Sequence, residues 1–107
     1  MKFANREVGT TQPIGKIGKA LQGVNEKREK KVLFHTDAVQ AAQFLNCNVE
    51  KLRVDLCTIS AHKIYGPKGA GALYVKEGTN ITPLVIGGGQ EQGHRGGTEN
   101  VAALAGF

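Results

Sequence analysis

The chain has 107 residues, a length that holds one small domain or a piece of a larger one. Fifteen glycines stand against two tyrosines, four phenylalanines and no tryptophan, a balance suited to loops that cradle a ligand rather than to a large self-sufficient core. The net charge is +5, but much of the excess sits in Lys27-Arg28-Glu29-Lys30-Lys31 with no aromatic residue interleaved, which argues against a base-stacking nucleic-acid surface.

No apolar run approaches the ~20 residues of a membrane helix, and Met1-Lys2-Phe3-Ala4-Asn5 lacks the apolar stretch of a signal peptide. The expectation is a cytoplasmic protein without direct nucleic-acid or membrane partners. Cys47 and Cys57 are too few for a disulfide framework. Cys57 lies in an apolar run and reads as a buried thiol; Cys47 reads as more exposed. Neither has a metal-ligand partner nearby in sequence, so no metal site is expected.

In chain order, Pro13 followed by Ile14, Ile17, Leu21 and Val24 predicts a helix from Pro13 to Glu26. The basic segment then complements its dipole and solvates the connection. Val32-Leu33-Phe34-His35-Thr36 reads as a strand ending at Asp37, and the small and apolar residues Ala38 to Leu45 as a short helix. Val49 to Leu52 reads as a turn before the strand Val54 to Ser60. Gly71 to Val75 reads as a further strand, Ile81 to Ile86 as an extended segment, 87–100 as a polar glycine-rich loop and Val101 to Phe107 as a helix. Strands alternating with helices predict an α/β fold, a mainly parallel sheet flanked by helices in one domain over 1–107.

Open α/β sheets hold ligands beyond the carboxyl ends of their strands. Asp37 and Lys63 both fall at such ends. Lys63, within Ser60-Ala61-His62-Lys63-Ile64-Tyr65-Gly66-Pro67-Lys68-Gly69, has the setting of an amine that condenses with an aldehyde cofactor. Its proton affinity must be lowered for that chemistry, and His62 and Lys68 are placed to contribute. Asp37 suits either of two roles, holding a protonated ring nitrogen or capping the helix expected at Ala38. Gln40 suits a bond to a ring oxygen or a place over the first helical turn, and His35 reads as structural. Gly66 to Gly71 lacks the Lys-Ser/Thr ending of a nucleotide phosphate loop and runs into a strand. His94-Arg95-Gly96-Gly97-Thr98 is better material for an anion site, Arg95 offering a planar fork and Thr98 preceding a helix start.

Four segments in order, Ala4 to Ile14, His35-Thr36-Asp37-Ala38-Val39-Gln40, Ser60 to Gly69 and Gly87 to Asn100, closely resemble the cysteine desulfurases of the class V aminotransferase group. The resemblance implies part of the large domain of a fold-type I enzyme using pyridoxal 5′-phosphate. It implies covalent attachment of that cofactor to Lys63, a bond from Asp37 to its ring nitrogen and from Gln40 to its phenolic oxygen, and phosphate contacts from Ser60 and His62. Thr98 is similar to the residue that reaches a phosphate across a homodimer interface. L-cysteine is the substrate so implied, with alanine and an enzyme persulfide as products and a sulfur-acceptor or scaffold protein, in iron–sulfur cluster assembly or tRNA thiolation, as partner.

Arg6 stands where the family has a second Asn that contacts the cofactor, leaving Asn5 as the substitute. The N-terminal segment of the large domain and the C-terminal domain with the persulfide-forming cysteine are expected to lie outside this sequence, so that this segment alone is expected to be inactive. Two alternatives share some of these features: a selenocysteine lyase or other class V aminotransferase, and a non-catalytic module binding phosphate-bearing ligands or nucleic acid.

Overall fold

Asp55 gathers the three strands at one end of the sheet. Its carboxylate Oδ2 accepts the Phe34 N–H at 2.8 Å. Its backbone N–H donates to Phe34 O at 2.9 Å, and its carbonyl accepts from Lys76 N–H at 2.8 Å. From there β1 (His35–Asp37), β2 (Leu56–Ser60) and β3 (Gly71–Val75) lie in the order β1-β2-β3. The computed structural model describes residues 1–107. β1 and β2 run parallel, with Asp37 opposite Thr58, and β3 returns antiparallel, with Gly71 opposite Ser60. On the far side of β1 the first residues add a parallel bridge between Lys2 and Asp37. With α1 (Ile14–Asn25), α2 (Val49–Leu52) and α3 (Val101–Ala105), the architecture is α/β.

The core is formed by Phe3, Ile14, Phe34, Ala38, Ala41, Leu52, Val54 and Cys57, directly beneath the Asp37 end of β1. α1 enters it through Ile14, which is 1 % exposed. Gly15 and Gly18 share one face of α1 and let it approach α2 closely. A Cβ on Gly18 would lie 2.5 Å from Leu52 O and 2.8 Å from Arg53 Cβ, well inside contact distance. β3 is the least covered strand, with Leu73 and Tyr74 exposed.

The helix of α1, the end of β1 at Asp37 and the five residues of β3 agree with the sequence reading. Elsewhere the local structure differs. The first strand begins at His35 rather than Val32, because Val32 bonds instead with the side chain of Asn25. Ala38 to Leu45 is not a helix but two consecutive turns, closed at Ala41 N–H→Ala38 O (2.8 Å) and Phe44 N–H→Ala41 O (2.9 Å). The helix lies just after it, where a turn was expected: Asn48 accepts the Lys51 N–H at 2.9 Å and caps α2. Ile81 to Ile86 joins no strand. The basic segment begins beyond Asn25, so no cation lies in the last turn of α1. No helix is long and apolar enough to cross a membrane.

Candidate active site

Asp37 is held from both sides. Its backbone N–H donates to Met1 O at 2.8 Å and its carbonyl accepts from Phe3 N–H at 2.8 Å. The chain then leaves the strand in a tight turn, in which Asp37 Oδ1 accepts the Val39 N–H at 3.0 Å. This local turn replaces the helix cap, since no helix follows; Asp and Asn favour such turns because the side chain reaches the N–H two residues on. Ala38 and Ala41 are fully buried. Small residues are needed there for the turn to lie flat on the core, and Ala38 N–H→Thr58 O at 2.9 Å fastens it to β2. His35 Nε2 lies 2.7 Å from Thr58 Oγ1, a second link between the same strands.

β2 delivers the other half of the site. After Ser60 the chain makes a short 3-10 turn, Ala61–Lys63. The Ala61 carbonyl accepts from both Ile64 N–H and Gly66 N–H at 2.9 Å, and Ala61 N–H donates to Ala70 O at 3.1 Å. This loop is therefore closed at its base. Gly66 is required in it: a Cβ would sit 2.9 Å from Ala61 Cβ and 3.0 Å from Gly106 O. Lys63 is half-buried and its amine makes no hydrogen bond or ion pair within the chain. Ser60 Oγ lies 2.8 Å from His62 Nδ1. Which of the two groups donates in that contact follows from the His62 tautomer, and Nε2 of the exposed ring makes no bond within the chain. The loop 60–69 carries His62, Lys63 and Lys68 and no acidic residue, so its field favours an anion.

Gln40 is half-buried on the turn after Asp37, and its side-chain amide makes no bond within the chain. Asn5 is less free than the sequence suggests. Its Oδ1 accepts Glu7 N–H at 2.8 Å and Val8 N–H at 3.3 Å, which leaves its NH₂ as the group able to meet a ligand. A cleft of about 1150 Å³ lies on the β3 side and is lined in part by Leu73, Val75, Thr98, Leu104 and Phe107. Of the predicted site residues Arg95 and Thr98 line it, with His94 beside them, and Thr98 makes no hydrogen bond to Asp37, Ser60, His62 or Lys63. The helix that follows is capped by Asn100, whose Oδ1 accepts Ala103 N–H at 3.2 Å, so Thr98 precedes the cap by two residues. Arg95 does not present a free fork, since its Nη1 donates to Gly96 O at 2.8 Å.

Both thiols are poor nucleophiles. Burial pushes the Cys57 thiol above its ordinary range, and the negative charges of Cys47 and Asp37 add to the effect; burial alone raises Cys47. Cys47 is half-buried against the core and, as expected, more exposed than the buried Cys57. No group of three or more His, Cys, Asp or Glu side chains gathers as a metal site.

The donor set is specific. It offers a carboxylate with one oxygen uncommitted, a free amine, an amide, and a hydroxyl–imidazole pair in a cationic loop. These fit a ligand with a basic ring nitrogen, an aldehyde, a phenolic oxygen and a phosphate, all arriving at the carboxyl ends of β1 and β2.

The chain is 52% identical over 104 residues to the cysteine desulfurase IscS of Dictyoglomus turgidum. It is 50% identical over 105 residues to that of Clostridium botulinum strain Hall, an alignment covering 98% of this chain and 25% of the relative; the Dictyoglomus alignment covers 97% and 25%. The chain thus spans about a quarter of the length of the curated relatives it matches. A solved structure of SspA in complex with cysteine superposes with a TM-score of 0.88 at 41% identity, covering 98% of this chain and 29% of that one. The Aminotransferase class-V family model matches residues 1–107 from end to end. With relatives and fold in agreement, the chain belongs to the class V aminotransferase family.

Proposed function

We propose that this chain is the cofactor-binding part of a cysteine desulfurase that uses pyridoxal 5′-phosphate. The observation that carries the reading is the parallel pairing of Asp37 with Thr58, which brings the acid and the Ser60–Lys63 loop to the same end of adjacent strands. The names of the relatives and the cysteine bound in the SspA complex favour L-cysteine as substrate. They favour it over a selenocysteine lyase and over a non-catalytic phosphate or nucleic-acid module.

Asp37 holds the cofactor's ring nitrogen in its protonated form, and Gln40 bonds the phenolic oxygen. Ser60 and His62 hold the phosphate. The amine of Lys63 would hold the aldehyde carbon of the cofactor and would carry the proton at the substrate's α-carbon. The bound cofactor supplies an electron sink for that carbon. Asn5 contributes its NH₂ group. Thr98 lines the β3-side cleft and would serve the phosphate of a second copy in a homodimer. Sulfur would leave on a cysteine other than Cys47 and Cys57, since Cys57 is buried in the core and Cys47 packs against it. The acceptor is a sulfur-carrier or scaffold protein of iron–sulfur cluster assembly or tRNA thiolation, and two free thiols fit the cytoplasm.

The test uses the full-length protein. Borohydride reduction after loading with pyridoxal phosphate should add the reduced cofactor mass to the peptide bearing Lys63, and L-cysteine should yield alanine and sulfide. Labelling elsewhere, or turnover retained in Lys63→Ala, refutes the reading.

A further inference from the structure

The acid and the amine sit on two separate segments, the turns that follow Asp37 and the loop that follows β2. Past the paired strands, a single hydrogen bond joins the segments 38–48 and 60–70: Gln43 Nε2 donates to Tyr65 Oη at 2.6 Å. Gln43 lies six residues after Asp37, and Tyr65 lies two after Lys63.

Tyr65 is a costly residue for its place. Its φ is +68°, a left-handed conformation in which glycine avoids the Cβ strain, and it lies between Ile64 and Gly66, whose N–H groups both donate to Ala61 O in the turn that carries Lys63. Its ring is 91 % exposed, so burial within the chain does not compensate for that strain. The next residue, Gly66, has a negative φ. What the Tyr65 side chain does supply is the bond to Gln43.

Building on the proposed function, we infer that Gln43 and Tyr65 are positioning residues that set the distance between Lys63 and Asp37. The amine and the acid would hold the ligand at its two ends, so their spacing would bear on the proton affinity of the Lys63 nitrogen once it has bound the aldehyde. The Gln43–Tyr65 tie therefore tunes the proton affinity of that nitrogen without touching ligand or substrate.

The probe is pyridoxal 5′-phosphate bound to the full-length protein, read as the pH midpoint of its visible absorption. Tyr65→Phe and Gln43→Leu should each move that midpoint in the same direction by about half a pH unit or more, the shift one ordinary hydrogen bond supports. The double variant should move it no further than either alone. Gln43→Glu, which lets the Tyr65 hydroxyl donate to a carboxylate, should restore a midpoint near the parent's. Tyr65→Gly removes the strain along with the tie, so it should melt no lower than the parent yet shift the midpoint as Tyr65→Phe does. Unchanged midpoints in Tyr65→Phe, or single effects that add, overturn the inference. An unvaried protein that gains no visible absorption with the cofactor refutes the proposed function instead, and this inference falls with it.

Discussion

Replacing Gly18 by alanine should destabilise the protein, although the same change at most interior helix positions stabilises it. An alanine in place of glycine in a helix is worth about 1 kcal/mol in reduced backbone freedom. At Gly18 the added carbon meets Leu52 O at 2.5 Å, Arg53 Cβ at 2.8 Å and Arg53 O at 3.0 Å. Two of these are backbone atoms, which cannot swing aside as the end of a side chain can. Arg53, with φ +55°, already ends α2 in the left-handed region, so the segment has little slack. Forcing a methyl into such a contact costs about 1–3 kcal/mol and separates α1 from α2. The net expectation is a loss of up to about 2 kcal/mol once the helix gain is subtracted. Gly23, on the same helix, has nothing within 4 Å of an added Cβ and provides the control. Gly23→Ala should gain up to about 1 kcal/mol, so the two variants should differ by roughly 1–3 kcal/mol. Urea unfolding of both full-length variants, followed by far-ultraviolet circular dichroism, measures the difference. A Gly18→Ala protein as stable as Gly23→Ala refutes the close approach of α1 to α2.

Asp37→Asn in the full-length enzyme should lower kcat/KM for L-cysteine by roughly 10–100-fold, the worth of one charge-assisted bond, while the reduced cofactor still labels Lys63. Asp55→Ala leaves the Phe34 N–H without its partner and should cost about 1–2 kcal/mol by chemical denaturation. Lys76→Ala should cost under about 0.5 kcal/mol, because the ion pair with Asp55 is 3.9 Å long and its lysine is largely exposed. Alkylation of Cys57 by iodoacetamide should be slow at pH 8 and accelerate only above the ordinary thiol value of 9.0. The same raised value adds stability below that pH, which is lost as pH rises through the folded-state value; denaturation midpoints between pH 7 and 11 check the sign. Rapid labelling of Cys57 at pH 7 in the native protein contradicts its burial.

What the sequence reveals here is whatever is written locally. Asp37 and Lys63 each follow an apolar run that ends abruptly in polar residues, so the ends of β1 and β2 can be placed from a few neighbours. Ala38 to Leu45 misleads because its alanines suit a helix equally well. Their small size serves instead to seat a turn on Phe34 and Cys57, a demand made by the core. The short α2 carries a signal that periodicity over four residues cannot show, the reach of Asn48 to the N–H of Lys51. At the final helix, Thr98 and Asn100 are both good caps, and the structure uses the nearer one. Tyr65 and Gly18 were illegible for another reason. A glycine stands beside Tyr65 as the obvious owner of a left-handed turn, and the crowding at Gly18 comes from residues more than thirty positions away.

The turn at Val39 has a chemical consequence of its own. By spending one oxygen of Asp37 on the chain's own amide, the fold converts a two-pronged acid into a one-pronged reader. A guanidinium, which seeks both oxygens at once, has to share one of them with the Val39 N–H. A heterocycle that presents a lone N–H needs only the other, and so the discrimination between visitors is settled by a single main-chain hydrogen before any of them arrives.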